Sequence, residues 1–135
     1  MSAECVYFLD CNGCSVNEFR TLLEHCGARA ASLPDERLMR LLSGATFVIT
    51  ARVEGRVVGI ARAISDGAWV THLSQIFVHE DHRGCGIGRK LVEHLRTVGG
   101  EECAIVLQSN AEAKVFYERL GFAVSEGAYS WPRGV

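Results

Sequence analysis

The 135-residue sequence predicts an α/β (α+β) fold, with one domain built on a mixed, mostly antiparallel sheet flanked by helices. Three observations carry this. Three strand-like runs follow one another between residues 46 and 78, joined by Glu54-Gly55-Arg56 and Asp66-Gly67. Stretches with apolar residues at helical spacing lie on both sides of these runs. A short apolar run, Ala104 to Leu107, sits between the last two helical stretches and reads as one more buried strand.

Element by element, Cys5 to Asp10 (CVYFLD) is β-prone and ends at Asn12-Gly13. Ser15-Val16-Asn17-Glu18 has the form of a capping box, and Val16, Phe19, Leu22, Leu23 and Cys26 follow at helical spacing. A second helix starts after Ser32. Pro34, Asp35 and Glu36 suit its first turn, Leu38, Leu41 and Leu42 form its apolar face, and Ser43-Gly44 ends it. Thr46–Val53, Val57–Ser65 and Trp69–Val78 are the three central strands. The helix after them carries Ile87, Leu91, Leu95 and Val98 on one stripe and stops at Gly99-Gly100. Ala113, Phe116, Tyr117 and Leu120 mark a last helix closed by Gly121, and Phe122–Val124 and Tyr129–Trp131 offer one or two short strands. No internal repeat or linker divides the chain, so residues 1–135 are expected to form a single domain.

Composition narrows the function classes. Hydrophobic residues make up 48% and charged residues 22%, with a formal net charge of −2, so no global field draws the chain to nucleic acid or an anionic membrane. No apolar run approaches the ~20 residues of a membrane span, and the N-terminus lacks the pattern of a secretory signal. A cytoplasmic location is expected. The six cysteines are scattered rather than spaced as a framework and are expected to be free thiols. Cys11-Asn12-Gly13-Cys14 is a C-x-x-C without the second ligand pair of a structural zinc site, so no metal is expected; a metal or redox role for it predicts metal in the purified protein.

The most informative stretch is His82-Arg83-Gly84-Cys85-Gly86-Ile87-Gly88-Arg89-Lys90, directly after the longest strand. Closely spaced glycines between a strand and a helix let backbone N–H groups converge beside the positive end of the helix, which suits a phosphate or pyrophosphate. A flexible glycine turn is the plainer alternative. A nucleotide-hydrolase loop needs Gly-Lys-Ser/Thr, but Lys90 follows Arg89 and precedes Leu91. A dinucleotide fingerprint needs G-x-G-x-x-G opening a βαβ unit, and here position 89 is Arg and the loop follows a hairpin.

Arg83, Gly86 and Gly88 form R-x-x-G-x-G, which resembles the first motif of the GNAT superfamily of acyl-CoA N-acyltransferases. Downstream, Asn110 and Val115-Phe116-Tyr117-Glu118-Arg119-Leu120-Gly121-Phe122 resemble the family's second signature. Within the superfamily the layout is most similar to small arylalkylamine acetyltransferases of the serotonin N-acetyltransferase type, although Ser109 stands where that group often has Asp.

The resemblance implies that the strands at Trp69–Val78 and Ala104–Leu107 splay apart at one end to admit the pantetheine arm of acetyl-CoA, with a β-bulge near Ser74-Gln75. Backbone groups of Ile76, Phe77 and Val78 would pair with pantetheine amides. Residues Arg83, Gly84, Cys85, Gly86, Ile87, Gly88 and Arg89 would wrap the pyrophosphate, which places Cys85 at a variable position where only its N–H matters. Asn110 would contact the cofactor, cap the last helix, or both.

The implied chemistry is acetyl transfer from the thioester to a primary amine by direct attack. An alkylammonium, with a pKa near ~10, must first lose a proton. The backbone near Leu73 to Ile76 would hold the oxyanion. Tyr117 matches the residue that protonates the departing thiolate, and a core aromatic is its plainer reading. Many relatives carry an acid at the positions of Ser74 and Gln75. With neither here able to take a proton, His72 or a water chain is the candidate base. His79, His82 and Glu80 are expected to face solvent near the phosphate end.

The expected partners are acetyl-CoA and a small amine of arylalkylamine or polyamine type, with no nucleic acid or membrane; a homodimer stays open. A non-catalytic acyl-CoA-binding module and a protein N-terminal or lysine acetyltransferase are the competing readings.

Overall fold

The computed structural model describes residues 4–9 and 13–135. Asp10 at the end of the expected first strand, and Cys11 and Asn12 of the C-x-x-C and its turn, lie outside the described residues. The elements are β1 (Cys5–Leu9), α1 (Val16–His25), α2 (Asp35–Ser43), β2 (Phe47–Val53), β3 (Arg56–Ser65), β4 (Val70–Val78), α3 (Ile87–Gly99), β5 (Ala104–Val106) and α4 (Lys114–Arg119). Short 3₁₀ turns cover Arg29–Ser32, Glu80–His82 and Ala111–Ala113.

The capping box at α1 is complete. The Ser15 hydroxyl accepts from the Glu18 N–H at 3.0 Å, and the Glu18 carboxylate accepts from the Ser15 N–H at 3.0 Å. The same carboxylate accepts from Arg52 Nη1 at 2.8 Å, and Arg52 Nη2 donates to the Gly13 carbonyl at 2.8 Å. One side-chain cluster therefore caps α1 and fastens it to β2.

The sheet runs β1-β2-β3-β4-β5, antiparallel except for the parallel β4–β5 pair. Alternation along its strands fills two cores. On one face α1 and α2 bury Phe19, Leu22, Leu23, Leu38 and Leu42 against Val48 and Ile60. On the other, α3 and α4 bury Ile87, Leu91, Leu95 and Tyr117 against Ile49, Ala61, Ala63 and Leu73. Each such large side chain contributes about 1.5–3 kcal/mol by leaving water.

Two features of β4 position the site. The register with β3 passes from Arg62 opposite Gln75 to Ala63 opposite Leu73, so Ser74 is the extra residue of a bulge, where the resemblance implied one. On the other edge, β4 and β5 pair only at Val70–Ala104, Thr71–Ile105 and His72–Val106. Beyond His72 the strands separate, and β4 continues to Val78 paired with β3 alone.

The C-terminal segment corrects an expectation: residues 122–135 form no strand. β5 spans only three residues, so it offers a further strand little ladder to join. Gly121, Gly127, Pro132 and Gly134 interrupt any run long enough to pair. Tyr129 and Trp131 are consequently exposed, and Arg37 Nη2 reaches the Val135 carbonyl at 3.0 Å.

Candidate active site

The gap between β4 and β5 opens beside the start of α3. A positive φ of 79° at Gly84 and 86° at Gly86 turns the chain through the left-handed region from the Glu80–His82 turn into the helix. The first intrahelical bond runs from Lys90 N to the Gly86 carbonyl at 3.0 Å, so the N–H groups of Ile87, Gly88 and Arg89 have no acceptor within the helix. Gly86 supplies no side-chain cap. A methyl group built on Gly84 or Gly86 would meet no atom within 4 Å, so the space over the loop is open. Bare N–H donors, a helix of 13 residues behind them and open space above fit a pyrophosphate.

Arg83 folds back, donating from Nε to the Val78 carbonyl at 3.1 Å, while Arg89 is exposed without a hydrogen bond or ion pair among the described residues. The Cys85 side chain is exposed, with its Sγ 3.8 Å from the Arg83 carbonyl.

Just past the end of β4, the His79 N–H bonds the Val58 carbonyl of β3 at 2.8 Å. Strand alternation then turns the backbone groups of Phe77 toward β3 and those of Ile76 and Val78 toward the gap. The Val78 carbonyl accepts from Arg83 and from the Cys26 thiol at 3.4 Å. Ile76 therefore offers the freest backbone pair of the three. The Phe77 side chain packs on the α1–α2 side.

Tyr117 lies in the α3–α4 core, edge-on to Phe116 and Phe122 with centroids 5.1 and 5.7 Å away. Burial raises the pKa of its phenol. Its hydroxyl makes no hydrogen bond to a described residue, yet it is not sealed from solvent. Arg96 steadies this corner, donating to the Leu120 carbonyl at 2.8 Å and covering the Phe122 ring at 5.5 Å.

Asn110 accepts from the Ala113 N–H at 2.8 Å and so caps the 3₁₀ turn that leads into α4. His72 is exposed at the fork of β4 and β5, with Nδ1 2.9 Å from the Ser74 hydroxyl. Leu73 points into the core that holds Tyr117, so His72 beside it projects from the opposite face of the sheet.

Two groups of residues escaped the sequence. His79 does not face solvent: its ring lies against His25 at a 38° tilt with centroids 4.1 Å apart and meets His82 edge-on at 5.7 Å, because α1 packs over this end of β4. Arg62 is buried beside the bulge, with Nε donating to Gln75 Oε1 at 2.9 Å and Nη1 to the Leu41 carbonyl at 3.3 Å. Its inward position in Gly59-Ile60-Ala61-Arg62-Ala63-Ile64 was the available signal, since an arginine flanked by apolar residues on its own face breaks the strand's pattern.

A parallel strand pair that forks after three residue pairs, beside a glycine-opened helix N-terminus, is the architecture of an acyl-CoA-dependent transferase. The acetyltransferase (GNAT) domain profile matches residues 43–124, from the end of α2 through α4, and the chain belongs to this family, whose co-substrate is acetyl-CoA. The fold is also that of a Staphylococcus aureus protein of unknown function assigned as an acetyltransferase, with a TM-score of 0.82 at 20% identity over 96% of this chain and 99% of that one.

Among sequence relatives, a peptidyl-lysine N-acetyltransferase of Escherichia coli is 41% identical over 54 residues, 40% of this chain and 37% of that protein. A glucosamine 6-phosphate N-acetyltransferase of Trypanosoma brucei is 29% identical over 108 residues, 74% of this chain and 72% of that one. The chain thus matches little more than a third of the length of the lysine acetyltransferase. No helix among the described residues is long and apolar enough to cross a membrane.

Proposed function

We propose that the 135 residues act as one acetyltransferase domain, moving an acetyl group from acetyl-CoA to the primary amine of a small molecule by direct attack. The observation that carries this reading is the fork of β4 and β5 after His72. It leaves the edge of β4 from Leu73 onward without a strand partner, with the Ile76 backbone open to an extended pantetheine arm and the bare start of α3 available to the pyrophosphate.

Roles follow from position. Ile76 and Val78 line the gap with Phe77 between them; Arg83, Gly84, Cys85, Gly86, Ile87, Gly88 and Arg89 surround the phosphates; Asn110 sets the entry to α4. Tyr117 is the acid for the departing thiolate, since a buried phenol with a raised pKa keeps its proton to give. His72, on the opposite face and hydrogen-bonded to Ser74, takes the proton of the incoming ammonium. Exposed Ile64 and Val106, each opposite His72 on a neighbouring strand, offer apolar surface to an aryl-bearing amine, the arylalkylamine type.

The Escherichia coli relative named above keeps a second acceptor class in view, a peptide lysine. The deciding experiment is thiol release from acetyl-CoA across a panel of aryl- and alkylamines, amino sugars and lysine peptides. Amine-dependent release with small acceptors is the expected result. Release with peptides alone would transfer the reading to a protein acetyltransferase, and tight CoA binding without release would leave a non-catalytic binding module.

A further inference from the structure

Arg62 is a buried cation with no carboxylate partner among the described residues. Only 8% of its surface is exposed, and its two hydrogen bonds go to neutral oxygens, the Gln75 amide and the Leu41 carbonyl. A guanidinium carries five N–H donors and stays charged at neutral pH, so three donors, including both on Nη2, are unused. None of its nitrogens is both sealed from solvent and unpaired, so the Nη2 edge reaches an opening.

The surroundings set the direction of that opening. Toward Ile60 and Val48 the sheet face is dry, covered by α1 and α2. In the other direction the face is bare, since Ile64 is 49% exposed and its cross-strand partner His72 is exposed too. Gln75, which orients the guanidinium, is the residue after the bulged Ser74.

A buried charge is costly unless it is paired, and partial negative charge at the C-terminal end of α2 compensates Arg62 only in part. We propose that the free edge of Arg62 recognises an anionic group on the acceptor, so that the acceptor is a small amine bearing a carboxylate or a phosphate. This rests on the acetyltransferase reading of the same site and narrows it, disfavouring polyamines, whose second ammonium would face the guanidinium. Gln75 is then a positioning residue, fixing the plane in which two parallel N–H donors meet the anion.

Matched acceptors test this: β-alanine against β-alaninamide, and phosphoethanolamine against ethanolamine, in wild type and Arg62→Gln. The expected result is a kcat/KM at least roughly tenfold higher for an anionic member than for its neutral twin. That ratio should fall to parity in the variant with acetyl-CoA affinity unchanged. The pair that responds identifies carboxylate or phosphate.

Parity in wild type while other amines react overturns the proposal and leaves the acetyltransferase standing. So does a preference that survives Arg62→Gln, or a variant whose main loss is acetyl-CoA affinity. If Arg62→Gln does not fold, Arg62→Lys keeps the charge without the two-donor edge and should show a reduced ratio; an undiminished one counts against the site. A readout independent of turnover is the ¹⁵N resonance of Arg62 Nε in CoA-saturated protein. Its shift with the anionic twins alone supports the site even if no amine is acetylated, and that combination would bring down the enzymatic reading instead. No shift with either anion sinks the proposal.

Discussion

A methyl group built on Gly88 would lie 3.0 Å from Cζ of the Phe116 ring. The third glycine of the loop motif is therefore a packing residue, letting the first turn of α3 touch α4 beside Tyr117. In an open helix, Gly→Ala stabilises by roughly 0.5–1 kcal/mol. Here the ring must give way, so Gly88→Ala should instead destabilise by about 1 kcal/mol. It should also lower kcat through displacement of the neighbouring Tyr117. Urea unfolding and steady-state rates check both, and a stabilised variant with unchanged kcat would show that the contact constrains nothing.

Gly86 should behave differently. Its φ of 86° lies in the left-handed region, and a side chain there would meet open space. The expected effect of Gly86→Ala is backbone strain of about 1–2 kcal/mol and a loop that rotates its N–H groups away from the phosphates. The loss should thus appear in the dissociation constant of acetyl-CoA, measured calorimetrically, with kcat at saturation much less changed. Equal CoA affinity in Gly86→Ala and wild type would remove this loop from the binding site.

These two glycines also mark what the sequence could and could not disclose. Hydrophobic period and capping residues located α1, α2, α3 and the central strands to within a residue or two, because Ser15, Pro34 and the Gly99-Gly100 pair act locally. The bulge at Ser74 and the forked strands came through the family resemblance rather than from any pattern in the strand itself. The expected terminal strands failed because a strand requires a partner edge, and the length of β5 is settled by tertiary packing. Arg62 and the His25–His79 ring contact stayed hidden for the same reason: each depends on which helix covers which end of β4.

Glu18 ties acid sensitivity to the α1 cap. The hydrogen bond from Arg52 holds its carboxyl below the usual carboxylate range. A depressed folded-state pKa contributes stability that is present above the unfolded value, about 4.3, and is lost as pH falls through the folded value. The side chain is about one-third exposed, so solvent screening limits the effect, and Glu18→Gln should cost about 1 kcal/mol at pH 7. The gap in Tm between wild type and variant should close as pH falls from about 5 to 3. A gap constant over that range would show that the pair contributes nothing through its charge.

Tyr117→Phe isolates one hydroxyl in the proposed chemistry. The ring's packing against Phe116 and Phe122 survives the substitution, and no hydrogen bond to a described residue is lost, so folding and acetyl-CoA affinity should stay close to wild type. If the phenol protonates the thiolate, kcat should fall by roughly a hundredfold, the scale of general-acid catalysis. The pH profile adds a second check. Burial raises the phenol above its ordinary value of 10.0, so the acid form persists through neutral pH, and Tyr117 should impose no alkaline decline below about pH 10. A wild-type kcat falling between pH 8 and 9 through loss of a proton from the acid, by contrast, would assign that role to a group other than Tyr117.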